Sequence, residues 1–317
     1  MNKQMKVLIG YDGSSYADAA LDDLLLAGLP SNVEALVISV GEGLVNPSES
    51  ISEVVETSLT SPRVELGIAV AREPPSRLLE EAWRFASQAS SRLQSHFPNW
   101  NVHAQAFSFE PATQLIQMAE LWKADLIVVG SRGLSTLGRL FLGSVSKTVA
   151  SEVRCSVRIV RRSTGKTRVV VGPRIIIGVD GSPGAARAVR AVGMRSWPKG
   201  TEVRLIAVGD GSSPTGIKDV TLSLEQLVTA FSEDPPVDSR VMAEGAQIVL
   251  QAEGLSASVE IMEGNPWRVL IEEARNWKAD CLFVGARGME NMTEESGLGS
   301  VATKLVTGAH CSVELVR

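Results

Sequence analysis

The 317-residue chain is short of the residues that build disulfide frameworks, metal centres and acid–base sites: it has 3 cysteines and 3 histidines. An odd, small number of cysteines in a chain of this length makes neither a disulfide framework nor a metal-ligand pattern, and Cys155, Cys281 and Cys311 read as small buried hydrophobes. None of His96, His103 and His310 falls on a loop expected at the carboxyl ends of strands. Long apolar runs are missing as well. No stretch approaches the ~18 residues that read as a membrane span, and no basic-then-apolar leader opens the sequence. The expectation is a cytoplasmic protein with no membrane contact. Lys and Arg number 31 against 36 Asp and Glu, a net charge of −5, and no basic cluster stands out. That balance gives no footing for a nucleic-acid backbone.

What the chain does have is internal repetition. "VLIGYDGS" at 7–14 returns as "IIIGVDGS" at 175–182, "KADLIVVGSRG" at 123–133 as "KADCLFVGARG" at 278–288, and "CSVRIVR" at 155–161 as "CSVELVR" at 311–317. The offsets of 168, 155 and 156 keep the segments in order while shortening the middle of the second copy. Two homologous domains follow, at 1–163 and 173–317, with a polar linker at 164–172, each large enough to bury its own core.

Each copy reads as five strands alternating with four helices. Short apolar runs bounded by turn signals suit strands buried on both faces, as in "MKVLIGY", "VEALVISV" and "ADLIVV". Helical patterns cover Tyr16 to Gly28 and Gly184 to Ser196, then about 76–96, 111–122 and 144–152, and in the second copy about 238–253, 266–277 and 300–308. Long polar, Pro-containing connections follow at 41–75 and 209–236, the first opening on a Ser/Glu-rich stretch that reads as an exposed loop or short helix. The fold class is α/β: two doubly wound, Rossmann-like, five-stranded parallel sheets of strand order 3-2-1-4-5, because parallel neighbours require right-handed crossovers. Ligands in such sheets bind beyond the carboxyl ends of the strands at the topological switch point, here between strands 1 and 4. Those strands end in Asp12-Gly13 and in Gly130-Ser131-Arg132-Gly133.

A first strand ending in Asp-Gly-Ser, a fourth ending in G-x2-G-x9-G-S and a fifth of the "CSVRIVR" type resemble the universal stress protein family in tandem form. The resemblance implies a cytoplasmic stress-response protein that binds ATP, alone or with Mg²⁺, and acts as a nucleotide-responsive binding or signalling module. It implies that Asp12 meets the ribose and adenine side and the backbone at Val40 the base. Gly130, Arg132 and Gly133 would lie along the sugar and phosphates, and Gly143, Ser144, Val145 and Ser146 would wrap the phosphates. The corresponding positions of the second copy are Asp180, Val208, Gly285, Gly288, Gly299 and Ser300. It also implies that the two terminal strands pair, giving an internal pseudo-dimer that leaves further homo-oligomerisation open.

The residues support the first site independently. Gly143 and Ser144 stand where a helix begins, and the unpaired N–H groups and positive dipole end there attract anions; Ser144 is also a candidate N-cap. "GKT" at 165–167 is not a phosphate loop, since the Gly that such a motif requires at position 160 is Val. The second copy departs from the pattern. Between Gly288 and Gly299 stand ten residues with Glu290, Glu294 and Glu295 and no base, where the first copy has nine with one Arg and no acid. Each close repulsion with phosphate costs ~1 kcal/mol at water-like screening, so the second site is expected to be weaker for a triphosphate unless Mg²⁺ bridges carboxylate and phosphate. No base stands ready to activate Ser135 or Thr136 in the first loop. A dedicated enzyme is therefore not expected, although slow nucleotide hydrolysis, a transferase on the same layout and a ligand-free structural protein remain as alternatives.

Overall fold

The computed structural model describes residues 4–41, 77–133, 142–162, 172–209, 238–288 and 297–317. The first domain runs β1 (Met5–Gly10), α1 (Ser15–Asp23), β2 (Val33–Gly41), α2 (Arg77–His96), β3 (Asn101–Ser108), α3 (Pro111–Trp122), β4 (Leu126–Gly130), α4 (Ser144–Glu152) and β5 (Ser156–Val160). The second repeats it with β6 (Arg174–Val179), α5 (Pro183–Gly193), β7 (Glu202–Gly209), α6 (Ser239–Ala252), β8 (Ser256–Glu263), α7 (Pro266–Asn276), β9 (Cys281–Gly285), α8 (Ser300–Gly308) and β10 (Ser312–Val316). Among the described residues no helix is long and apolar enough to cross a membrane. The linker motif at 165–167, Ser135, Thr136, and Glu290, Glu294 and Glu295 lie outside the described residues.

All ten strands form one sheet in the order β3-β2-β1-β4-β5-β10-β9-β6-β7-β8. Each half is parallel with the expected order 3-2-1-4-5, and the halves meet where β5 and β10 pair antiparallel. The pairing removes two apolar strand edges from solvent, edges that would otherwise template aggregation. One face of the sheet carries a core continuous across both domains, from Leu115 and Val149 through Val157, Ile159, Val313 and Leu315 to Leu270 and Leu305. On the other face each domain keeps its own core, built around Leu21 and Ile9 in the first and Val189 and Phe283 in the second.

Between those two separate cores lies a buried ionic chain. Arg158 Nε donates to Asp23 Oδ2 at 2.5 Å and Nη1 to Glu314 Oε2 at 2.9 Å; Arg195 donates to both carboxylate oxygens of Glu314 and to the backbone oxygen of Ala27. Outside this chain, the last arginine of each repeat crosses to the other domain. Arg161 donates to the carbonyls of Val306 and Thr307 at the end of α8, and Arg317 to that of Ala150 in α4 and, at 3.4 Å, to that of Cys155 just before β5. A guanidinium at a helix C-terminus satisfies orphan carbonyls and favours the negative dipole end.

Two helix ends differ from the sequence reading. α1 stops at Asp23 and tightens into a 3₁₀ turn at Leu24–Leu26, because Gly28 takes a left-handed φ of +63° and turns the chain. A Cβ on Gly28 would lie 2.5 Å from the Trp197 ring of the other domain. α5 ends at Gly193, since the residues expected to continue it are drawn into the interface, where Ser196 N–H bonds to the carbonyl of Gly28 at 2.8 Å.

Candidate functional site

The Asp-Gly-Ser segment after β1 is a turn that becomes a helix cap. Asp12 Oδ1 accepts the Ser14 N–H at 3.0 Å, Gly13 holds φ +78°, and Ser14 Oγ accepts the Ala17 N–H at 3.1 Å to start α1. Asp180, Gly181 and Ser182 repeat this with the same 3.0 and 3.1 Å bonds and a φ of +83°. One oxygen of each aspartate is thus spent on the turn. The other faces the loop beyond the fourth strand of its domain.

The glycines of that loop are crowded first by the chain itself. A Cβ on Gly130 would come within 2.8 Å of the backbone carbonyl of Tyr16, so this glycine lets β4 meet the first turn of α1; Gly285 meets the Gly184 backbone at 2.7 Å in the same way. A Cβ on Gly133 would stand 2.6 Å from Asp12 Oδ2, and one on Gly288 2.4 Å from Asp180 Oδ2. These are the contacts that seat the aspartate against the loop. Gly143 and Gly299 close their loops with N–H bonds of 2.9 Å to Ser131 and Ala286.

Gly143, not Ser144, is the N-cap of α4, and no side chain caps it; Ser144 is the first helical residue and is exposed. Glycine at the cap leaves the first N–H groups of α4 without a side-chain acceptor, which is the anion-binding condition. Ser146 contributes backbone only, because its hydroxyl donates to the Gly130 carbonyl at 2.6 Å. Arg132 donates to Tyr16 Oη at 2.8 Å and lies over that ring at 5.2 Å. Its charge, added to burial, lowers the pKa of the neighbouring Arg161. Gly299 and Ser300 occupy the same cap and first-turn places at the start of α8.

All nine expected residues of the first domain, from Asp12 and Val40 through Gly130, Arg132 and Gly133 to Gly143, Ser144, Val145 and Ser146, line one cavity of about 310 Å³. Gly10 and Val129 floor it at the switch point, Ile38 to Gly41 form one wall, and the α4 start forms its polar rim. Sequence reasoning missed a second wall, where α2 supplies Leu78, Glu81, Ala82 and Phe85, and α3 supplies Pro111 and Leu115. Leu78, Ala82 and Phe85 follow helical spacing, a signal present in the sequence but indistinguishable there from core packing. Tyr11 was missed too; it is 6% exposed and donates to Asp18 at 2.9 Å, and burial together with Asp18 raises its pKa to about 12. In the second repeat its place is taken by Val179.

No histidine lines the cavity. His96 ends α2, His103 lies in β3, and His310 sits beside Arg275 before β10, with its pKa lowered by burial and by that guanidinium. Cys281 is buried and Cys155 and Cys311 are half-buried, each with a thiol pKa raised by desolvation, which keeps all three in the unreactive protonated form.

The model of the universal stress protein family matches residues 4–161 and again 173–317. Universal stress protein YxiE of Bacillus subtilis is 30% identical over 159 residues, 49% of this chain and 98% of its own length. Universal stress protein Rv2005c of Mycobacterium tuberculosis is 21% identical over 333 residues, covering 99% of this chain and 98% of that one. Among solved structures, a universal stress protein from Archaeoglobus fulgidus superimposes with a TM-score of 0.58 at 20% identity, covering 98% of each chain, a likeness of fold.

Proposed function

The chain belongs to the universal stress protein family, with two such domains in tandem, and from that premise we propose that its first domain binds an adenine nucleotide, ATP, in the β1/β4 crevice. The observation that carries the proposal is the convergence of all nine expected residues on a single cavity whose lining is mixed in chemistry. Leu115 and Val129, with Phe85 from α2, suit a flat apolar base. The uncapped N–H groups at the start of α4, with Arg132 in the same lining, suit phosphate. A nucleotide has this mixture, and the residues present fit it. When Mg²⁺ accompanies the triphosphate, it neutralises part of the phosphate charge. The Asp12 carboxylate, held by Ser14 and wedged against Gly133, is placed for a ribose hydroxyl.

Among the described residues the cavity is lined by no histidine, and its acidic lining is Asp12 and Glu81. With no general base paired to a nucleophile in it, the site reads as a binder whose occupancy sets loop order rather than as a dedicated catalyst. The second domain carries the same aspartate turn and uncapped helix start, and its acidic loop disfavours triphosphate. The test is to denature purified protein and identify what is released, then titrate the stripped protein with ATP. Adenine nucleotide approaching one per chain, or saturable ATP binding, supports the reading. Absence of both contradicts it.

A further inference from the structure

Arg158 and Glu314 hold the same place in the two repeats, each the fourth residue of the "CSVxxVR" strand, and they are also register partners across the β5–β10 pairing. A residue opposite its own repeat counterpart lies on the pseudo-twofold axis. Here the two sequences carry opposite charge, a cation in one copy and an anion in the other. Both are fully enclosed, Arg158 at 1% and Glu314 at 0% exposure. We propose that this pair is a partner-selection code that makes each domain's edge strand accept the other domain and reject a copy of itself.

The argument is one of donor and acceptor order. Across the axis the charges run Asp23, Arg158, Glu314, Arg195, alternating in sign at every step. Pairing two first domains in the same geometry would place Arg158 Nη1 against another Arg158 Nη1, donor facing donor. Two second domains would set Glu314 Oε2 against another Glu314 Oε2, acceptor facing acceptor. In either case each charge keeps the partner from its own domain, Asp23 for Arg158 and Arg195 for Glu314, but the alternation breaks at its most buried step, where like charges adjoin and the hydrogen bond across the axis is lost. Two further bonds share this directionality: Ser312 Oγ donates across to Asp23 Oδ1 at 2.8 Å, and Arg195 donates across to the Ala27 carbonyl at 3.0 Å. The repeat counterparts of Asp23 and Arg195 are Ala191 and Ala27, which can reproduce neither side-chain role. Trp197 packed on Gly28 is one more contact made in a single direction, its repeat counterpart being Leu29, whereas the strand faces and terminal arginines do not discriminate. Val157, Ile159, Val313 and Leu315 are apolar in both copies, and the Arg161 and Arg317 helix caps are reciprocal.

The partner this surface fits is therefore the complementary domain, in the same chain or in a second copy of the chain, and never its like. The test removes the tether but neither partner. A protease site is placed between residues 163 and 172, the folded full-length protein is nicked, and isotopically heavy and light preparations are mixed in mild denaturant and returned to buffer. Native mass spectrometry then reads which domains pair. The wild type is expected to exchange heavy for light yet form unlike pairs, with like pairs at least ~10-fold below their statistical share. The double variant Arg158→Leu, Glu314→Leu removes the like-charge juxtaposition, leaving Asp23 to Ser312 and Arg195 to the Ala27 carbonyl, and is expected to raise the share of like pairs at least ~10-fold over the wild type. Like pairs in the wild type at statistical levels, or a double variant with no more like pairs than the wild type, would overturn the proposal. If nicked halves fail to re-form, the intact chain decides. In an Asp23→Ala background, which matches Ala191 of the second repeat, Arg158→Glu sets two carboxylates across the axis as two second domains would and must melt at a lower temperature than Arg158→Leu; equal melting overturns the proposal as well.

Discussion

Gly130 and Gly133 stand three residues apart in one motif, yet their surroundings assign them different costs. Replacing Gly130 with Ala drives a methyl into the Tyr16 backbone, which cannot move without shifting α1. The expected outcome is a destabilisation of about 1–3 kcal/mol, typical of overpacking, measured by denaturant unfolding. Gly133→Ala instead meets the end of the Asp12 side chain, which can swing aside. That variant is expected to fold with near-native stability while losing ATP affinity, because the aspartate leaves its seat. Ser144→Glu separates the two properties further. An exposed acid in the first turn of α4 leaves the helix as stable or slightly more so, by about 0.3–1 kcal/mol, yet sets a fixed anion where phosphate is proposed to bind. The spacing of the motif was legible in the sequence. The identity of what crowds each glycine was not, because Tyr16 and Asp12 come near only once β1, α1 and β4 are assembled.

Among the elements, the central strands were the most legible part, since burial on both faces writes a continuous apolar run into them, whereas the edge strands β3 and β8 are half-exposed and mixed in sequence. Helix ends were less so. α1 is cut short by Gly28 packing under Trp197, a contact between positions 169 residues apart. The part α2 plays in the cavity was hidden for a similar reason: its Leu78, Ala82 and Phe85 read as an ordinary packing stripe until the helix is laid across the β2 end. The loops between Gly133 and Gly143 and between Gly288 and Gly299 differ in charge, and the difference carries its own prediction. With the first site blocked by Ser144→Glu, changing Glu290, Glu294 and Glu295 together to Gln should raise triphosphate affinity at the second site. Part of that gain should vanish at high salt, as screened repulsion does. Calorimetric titration in both salts checks it, and equal affinity before and after the change would mean that the acidic loop does not face the phosphates.

At the scale of the whole molecule, ten strands in one sheet make the two domains a single body whose centre is ionic on one face and apolar on the other. From sequence, Arg158 and Glu314 look like one substitution among several between repeats; only the register shows them facing each other on the axis. Burial alone would raise the Glu314 pKa, but Arg195 and Arg158 outweigh it and hold the carboxyl below its usual range. A carboxylate depressed in the native state contributes stability that is fully present above its unfolded pKa, about 4.3, and is lost as pH falls through the lower native value. Acid unfolding of the wild type should therefore steepen below about pH 4.3. Glu314→Gln should be less stable at neutral pH, with a shallower acid limb, in unfolding curves recorded across that range. The cavity between β1 and β4 of the first domain is proposed as a nucleotide site whose phosphate-binding part is the start of α4. It is tested most directly by titrating ATP into nucleotide-stripped wild type and Ser144→Glu under identical conditions, with unfolding curves to show that both are folded. The account predicts saturable binding by the wild type and at least a ~10-fold weaker affinity at the first site of the equally stable variant. Unchanged affinity in the folded variant, or no binding by the wild type, would contradict it.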